Sequence, residues 1–202
     1  MISLANKFLF VHVPKTAGNS IQNILKDFSE DRIVTKNDQD GIERFGVESE
    51  NAPINKHSNL KLYIDHLDSN LYASMFKFGC VRNPWDRMIS YYFSPHRKAG
   101  KFIRKEFIEL LKRRPTTISY LTLDGTPEGD IGVDYIMRFE SLASDFAFIC
   151  KKIGIGEHRL PHRNASSRKH YSIYYDQEMV DLVAAKYSRE IEMFGYTFEQ
   201  GS

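Results

Sequence analysis

The chain has 202 residues, is 42% hydrophobic and 27% charged, and carries a formal net charge of +2. That length predicts one domain over residues 1–202, and a chain of this size buries roughly 70% of its unfolded surface without a disulfide or metal staple. The composition excludes collagen-like, disulfide-scaffold and wholly disordered classes. No apolar stretch reaches the ~18 residues of a membrane span, and the small net charge argues against bulk affinity for nucleic acid.

Lys7–Val13 (KFLFVHV) reads as a short buried strand that Pro14 stops. Its apolar run is too short and its flanks are wrong for a signal peptide. Ser20–Phe28 is predicted helical, with Ile21, Ile24, Leu25 and Phe28 on one face. Ser29–Lys56 is polar and acidic, with Gly41, Gly46 and Pro53, and is expected to be a loop with little regular structure. Ser58–Asp65 and Ser69–Met75 read as short helices, each with Ser as a possible cap. Phe76–Val81 is a second buried strand, and Asn83-Pro84 then starts a helix to about Phe93.

Lys101–Arg114 is a basic amphipathic helix with Phe102, Ile103, Phe107, Leu110 and Leu111 on one side. Thr122–Gly132 is a turn-rich loop, Val133–Met137 a third strand, and Ser141–Ile153 a helix stopped by Gly154. Glu157–Ser172 reads as a basic irregular loop, and Asp176–Phe194 as one last amphipathic helix. Short apolar strands alternating with helices predict an α/β fold with a parallel sheet. Cys80 and Cys150 lie in apolar runs and read as buried thiols of a reducing, cytoplasmic compartment. No Cys/His spacing suggests a metal site.

The net charge is an average over unlike segments. Asp27–Glu50 holds three basic and eight acidic residues, whereas Arg82–Arg114 holds ten basic and three acidic. Glu157–His170 adds four Arg or Lys and three histidines against one Glu. This is a footprint for a compact anion, or else a solvated basic face.

Two strand–turn–helix segments carry the chemistry. After the first strand comes Pro14-Lys15-Thr16-Ala17-Gly18-Asn19-Ser20, a short loop opening onto a helix. Backbone N–H groups and the helix dipole there favour an anion, and Lys15, Thr16 and Ser20 add a cation and two hydroxyls. The loop lacks the closing Lys-Ser or Lys-Thr that holds magnesium in P-loop NTPases, so it is P-loop-like rather than a Walker loop. The second segment is Val81–Tyr92, VRNPWDRMISYY. Arg82 ends the strand, where ligands bind in open α/β sheets, and its guanidinium suits a phosphate or a structural ion pair. Arg87 is open to pairing with a nearby carboxylate.

FVHVPKTAGNSI resembles the 5′-phosphosulfate loop of sulfotransferases, and FKFGCVRNPWDRMISYY resembles their 3′-phosphate strand–helix. The K-T-A-G and V-R-N-P-W-D-R forms look like the carbohydrate-type branch, related to heparan and chondroitin sulfotransferases and their small bacterial relatives. MRFESLASDF, LPHRNASSRKHY and IEMFGYTF are weaker matches in the same order. The resemblance implies a P-loop-like three-layer fold with a small central parallel sheet, and PAPS (3′-phosphoadenosine 5′-phosphosulfate) as donor without a metal. It implies that Lys15, Thr16, Ala17, Gly18, Asn19 and Ser20 wrap the 5′-phosphosulfate. Arg82 and Ser90 would hold the 3′-phosphate, and Arg168 and Lys169 would fold over the nucleotide. The variable segment of the family falls within residues 29–75, so the acceptor is expected on that side, a glycan or other small polar molecule.

Sulfuryl transfer needs a cation at the leaving phosphate, which Lys15 supplies, and a base for the acceptor hydroxyl. Among seven histidines, His12 lies inside a strand and reads as buried. His57, in a Lys-His element that the resemblance links to the base, is the first choice. His66 is the second, and Asp65 or Asp68 would serve if no histidine does. A small-metabolite kinase and a non-catalytic nucleotide-binding module remain alternatives.

Overall fold

Short aromatic and β-branched runs bounded by turn residues become the central strands of this chain. The computed structural model describes residues 1–36, 44–49, 52–94, 100–160 and 169–201. In chain order the elements are β1 (Ile2–Ser3), β2 (Phe8–Val11), α1 (Gly18–Leu25), β3 (Arg32–Lys36), β4 (Arg44–Ser49), β5 (Ala52–Asn55), α2 (Leu60–His66), α3 (Ser69–Ser74), β6 (Phe76–Val81), α4 (Pro84–Tyr92), α5 (Arg104–Arg113), β7 (Tyr135–Arg138), α6 (Leu142–Lys152), α7 (Gln177–Lys186) and α8 (Ser188–Phe194). They fall into two units: Met1–Val81 with Thr117–Arg163, and Arg82–Thr116 with Asn164–Ser202.

The first unit is α/β. Its central sheet runs β1-β2-β6-β7, with β2, β6 and β7 parallel and β1 antiparallel at the edge. Val11 pairs with Gly79, so β2 and β6 end at the same edge of the sheet. Phe8, Phe10, Phe78, Cys80 and Met137 from the strands pack with Ile21, Ile24 and Leu25 of α1 and with Phe146, Ile149 and Cys150 of α6. Both cysteines are buried free thiols. Gly154 follows α6 with φ 71°, a left-handed turn that suits glycine.

One stretch corrects the sequence expectation. The described residues within 29–56 are not all irregular: β3, β4 and β5 form an antiparallel sheet of their own. Arg-Ile-Val-Thr-Lys and Arg-Phe-Gly-Val-Glu-Ser mix β-branched or aromatic residues with charges at short range. Pairing between neighbours, rather than apolar content, makes such runs strands.

In the second unit Asn83 caps α4, its side chain accepting from the N–H groups of Trp85 and Asp86 at 3.1 and 3.4 Å, with Pro84 at the first helical position. Residues 101–103 precede α5 rather than joining it, and Ile103 is exposed. Phe107, Leu110 and Leu111 are buried as the pattern predicts. The expected single last helix is broken into α7 and α8 at Tyr187 (φ −109°, ψ 24°), with Asp176 as the cap of α7. Tyr187 is buried, and its aromatic body holds the break in place.

Candidate active site

The loop between β2 and α1 is built from unusual backbone. Lys15 and Ala17, neither of them glycine, have φ values of 70° and 66°. Each such residue costs about 1–3 kcal/mol, and strain of this kind collects at binding sites. Ala17 is the N-cap of α1 and has no side chain with which to cap it. The positive end of the helix therefore opens onto the loop without a built-in acceptor, a cradle suited to an anion.

Thr16 is fully buried, and its hydroxyl donates to the Val13 carbonyl at 2.8 Å. Its proton thus braces the loop. Asn19 accepts a hydrogen bond from Lys56 Nζ at 2.6 Å. This contact ties the cradle to the turn after β5.

That turn carries His57. Asn55 and Ser58 brace it reciprocally: Asn55 Oδ1 accepts from the His57 N–H at 2.9 Å, and Ser58 Oγ accepts from the Asn55 N–H at 2.8 Å. His57 is exposed, yet its ring reaches the end of β2. Its Nδ1 donates to the His12 carbonyl at 3.2 Å, and the two rings meet edge to face with centroids 4.5 Å apart. A carbonyl only accepts, so Nδ1 carries the proton and the imidazole lone pair lies on Nε2.

Behind His57 the His12 ring is buried, 3% exposed. Its Nδ1 bonds to Gln22 Oε1 of α1 at 3.0 Å. Burial, then the neighbouring His57 and Lys56, holds the His12 pKa well below the ordinary histidine value, so the ring is neutral. Gln22 is fully buried and its Nε2 has no hydrogen-bond partner among the described residues. An orphaned amide of that kind costs about 1–3 kcal/mol.

The structure thus joins Lys15–Ser20, Lys56 and His57 in one unit. His66 is not joined to them by any contact among the described residues; its Nδ1 bonds to the Leu62 carbonyl at 2.9 Å. Asp65 pairs with Lys61, and Asp68 caps α3 through the N–H groups of Asn70 and Leu71. The roles of Lys56, Gln22 and His12 were not legible from the sequence, where only burial of His12 was. The turn formers Asn55 and Ser58 around His57 were the one local signal.

Arg82 begins the second unit, directly after β6. It is 9% exposed, and its Nε and one terminal nitrogen donate to Asp86 Oδ2 at 2.8 and 2.6 Å. Ser90 lies half-buried on α4. Arg87 is fully buried against the Tyr91 ring, 5.2 Å from its centroid. Lys169 is exposed, while Arg168 lies outside the described residues. Arg97, Lys98, Lys101, Arg104 and Lys105 make a basic cluster in the sequence; Arg97 and Lys98 lie outside the described residues too, and Arg104 is paired with Asp176 and Glu178.

A strained loop opening onto an uncapped helix, beside a histidine whose lone pair is directed by a carbonyl, fits group transfer from an anionic donor. The family model described as the sulfotransferase family matches residues 1–197. The chain belongs to the sulfotransferase family. No curated protein and no solved structure gives a significant match. Among the described residues no helix of this sulfotransferase is long and apolar enough to cross a membrane, and no three His, Cys, Asp or Glu side chains are grouped to share a metal ion.

Proposed function

We propose that this sulfotransferase moves a sulfuryl group from PAPS to a hydroxyl of a carbohydrate or another small polar acceptor, as in the carbohydrate-type, bacterial-like branch that its motifs resemble. The observation that carries the reading is the contact between His57 and the strand that leads into the cradle, Nδ1 to the His12 carbonyl at 3.2 Å. It brings the candidate base to the loop expected to hold the donor.

PAPS, when bound, supplies a sulfuryl group already activated on a phosphate leaving group. The backbone of residues 15–20 would hold its 5′ end, and the strained φ values with the uncapped start of α1 fit that use. Lys15 would neutralise charge developing on the leaving phosphate oxygen. A donor placed in this way contributes on the order of 3–4 kcal/mol. His57 takes the acceptor proton on Nε2 while Nδ1 stays bonded to the His12 carbonyl, which stabilises the imidazolium so formed. Arg82 and Ser90 would hold the 3′-phosphate, with Asp86 keeping Arg82 extended along α4, and Arg168 and Lys169 would close over the nucleotide. The transferred group carries less charge than a phosphoryl group, so the chemistry does not call for a metal. The same reading places the enzyme in the reducing cytoplasm, where Cys80 and Cys150 stay thiols.

An acceptor screen with PAPS, read by product mass, tests the activity. His57→Ala is expected to lose about 100-fold or more in turnover while keeping its affinity for adenosine 3′,5′-bisphosphate. Normal turnover by that variant would sink the assignment of His57.

A further inference from the structure

His12 is fastened to three parts of the site at once. Its Nδ1 bonds to Gln22 of α1 at 3.0 Å. Its ring lies directly on the cradle: a Cβ added at Gly18 would sit 2.0 Å from His12 Nε2 and Cδ2, so only glycine leaves room for it. Its carbonyl and its ring both touch His57.

Gln22 makes the arrangement unusual. It occupies a fully buried position on the face of α1 that also carries Ile21 and Leu25. Instead its Oε1 bonds to His12 and its Nε2 has no partner among the described residues. A buried amide kept at the expense of fold stability points to a use other than folding. With Oε1 accepting, Nδ1 of His12 carries the proton and the ring cannot turn over about its Cβ–Cγ axis. The edge presented to His57 is thereby fixed.

We propose that Gln22 and His12 form a positioning pair: Gln22 locks the buried His12 ring edge to face against the His57 ring, and the His12 main-chain carbonyl holds His57 in its Nδ1–H tautomer with Nε2 directed to the acceptor. This rests on the assignment of His57 as the base. Neither residue touches a reacting atom; both act through His57. The tautomer matters because a free neutral imidazole prefers the proton on Nε2, the form that could not take a proton there.

The test uses Gln22→Met, which keeps the length of the side chain and removes the amide, with Gln22→Glu retaining an acceptor oxygen. Long-range proton–nitrogen NMR of nitrogen-15-labelled protein should show His57 as the Nδ1–H tautomer in the wild type, and altered His57 ring shifts in Gln22→Met, where the His12 ring is no longer locked against it. Thermal unfolding of Gln22→Met should change little, since an unsatisfied amide is removed while the buried His12 Nδ1–H loses its acceptor. Its kcat should fall about 10- to 100-fold with a KM for PAPS within threefold, because the base is misdirected rather than lost. Gln22→Glu should keep the wild-type tautomer. A wild-type His57 in the Nε2–H form, or an unaltered His57 spectrum in Gln22→Met, overturns the proposal. So does a Gln22→Met protein that fails to fold, which would make Gln22 a folding residue. The tautomer and the unfolding temperature are read without any turnover, so a chain that transfers no sulfuryl group leaves them decisive and fails the functional reading alone.

Discussion

At the scale of single residues, the candidate site keeps a histidine neutral inside the protein. His12 is buried beside His57 and Lys56, and its pKa is held well below the ordinary value of 6.5, first by desolvation and then by those two neighbours. A group whose folded pKa is depressed in this way binds its proton more readily in the unfolded chain. Its contribution is harmless above about pH 6.5 and becomes destabilising as pH falls below that value. Urea melts at pH 7.5 and 5.5 on the wild type and His12→Gln measure this: the variant lacks the titrating ring, so the wild type should lose more stability over that interval. Equal losses would mean that His12 is charged in the fold. The loop that carries Lys15 and Gly18 was legible as a loop at this scale because its punctuation, Pro14 and Gly18, is local. The contact between His12 and His57 was not, since 45 positions separate them in the chain and only the closure of the fold brings them together.

At the scale of elements, boundaries marked by steric punctuation were legible and those set by pairing were not. Phe76–Val81 and the start of α4 fall where the apolar run and the Asn-Pro pair put them. The caps of α2 and α3 are Asn59 and Asp68, each one residue from the expected serine, because amide and carboxylate oxygens reach the first-turn N–H groups as well as a hydroxyl does. The sheet of β3, β4 and β5 was missed because strand pairing is a relation between segments and leaves little trace in any one of them. Asn83 is the cap with the most attached to it. Besides holding two N–H groups of α4, its side-chain nitrogen donates to the Thr197 carbonyl at 3.0 Å. Asn83→Ala should therefore destabilise by about 1–2 kcal/mol, at the upper end for a cap, whereas Asn83→Asp, which keeps the accepting oxygen, should recover part of it. Chemical denaturation of the three proteins decides this, and a loss below about 0.5 kcal/mol would remove Asn83 from the structural account of α4.

At the scale of the molecule, the near-neutral total charge hides a division. The second unit holds 14 of the 28 Lys and Arg but 9 of the 26 Asp and Glu, a net +5 against −3 for the first. The division into units was not legible in the sequence, because each unit is assembled from two separate stretches of chain. The residues proposed for the nucleotide fall in both: Lys15–Ser20 in the first, Arg82, Ser90 and Lys169 in the second. Adenosine 3′,5′-bisphosphate, the product expected of the proposed reaction, should stabilise the folded protein. At a hundredfold excess over its Kd the gain is about 2.7 kcal/mol, or roughly 5–11 °C in Tm for a chain of this size. Lys15→Ala and Arg82→Ala should each reduce that shift. Adenosine 5′-monophosphate separates the two roles, since it lacks the 3′-phosphate: its smaller shift should respond to Lys15→Ala and be indifferent to Arg82→Ala. A bisphosphate shift that survives Arg82→Ala intact would leave Arg82 with its Asp86 ion pair as a structural element of α4, and the 3′-phosphate would need another partner.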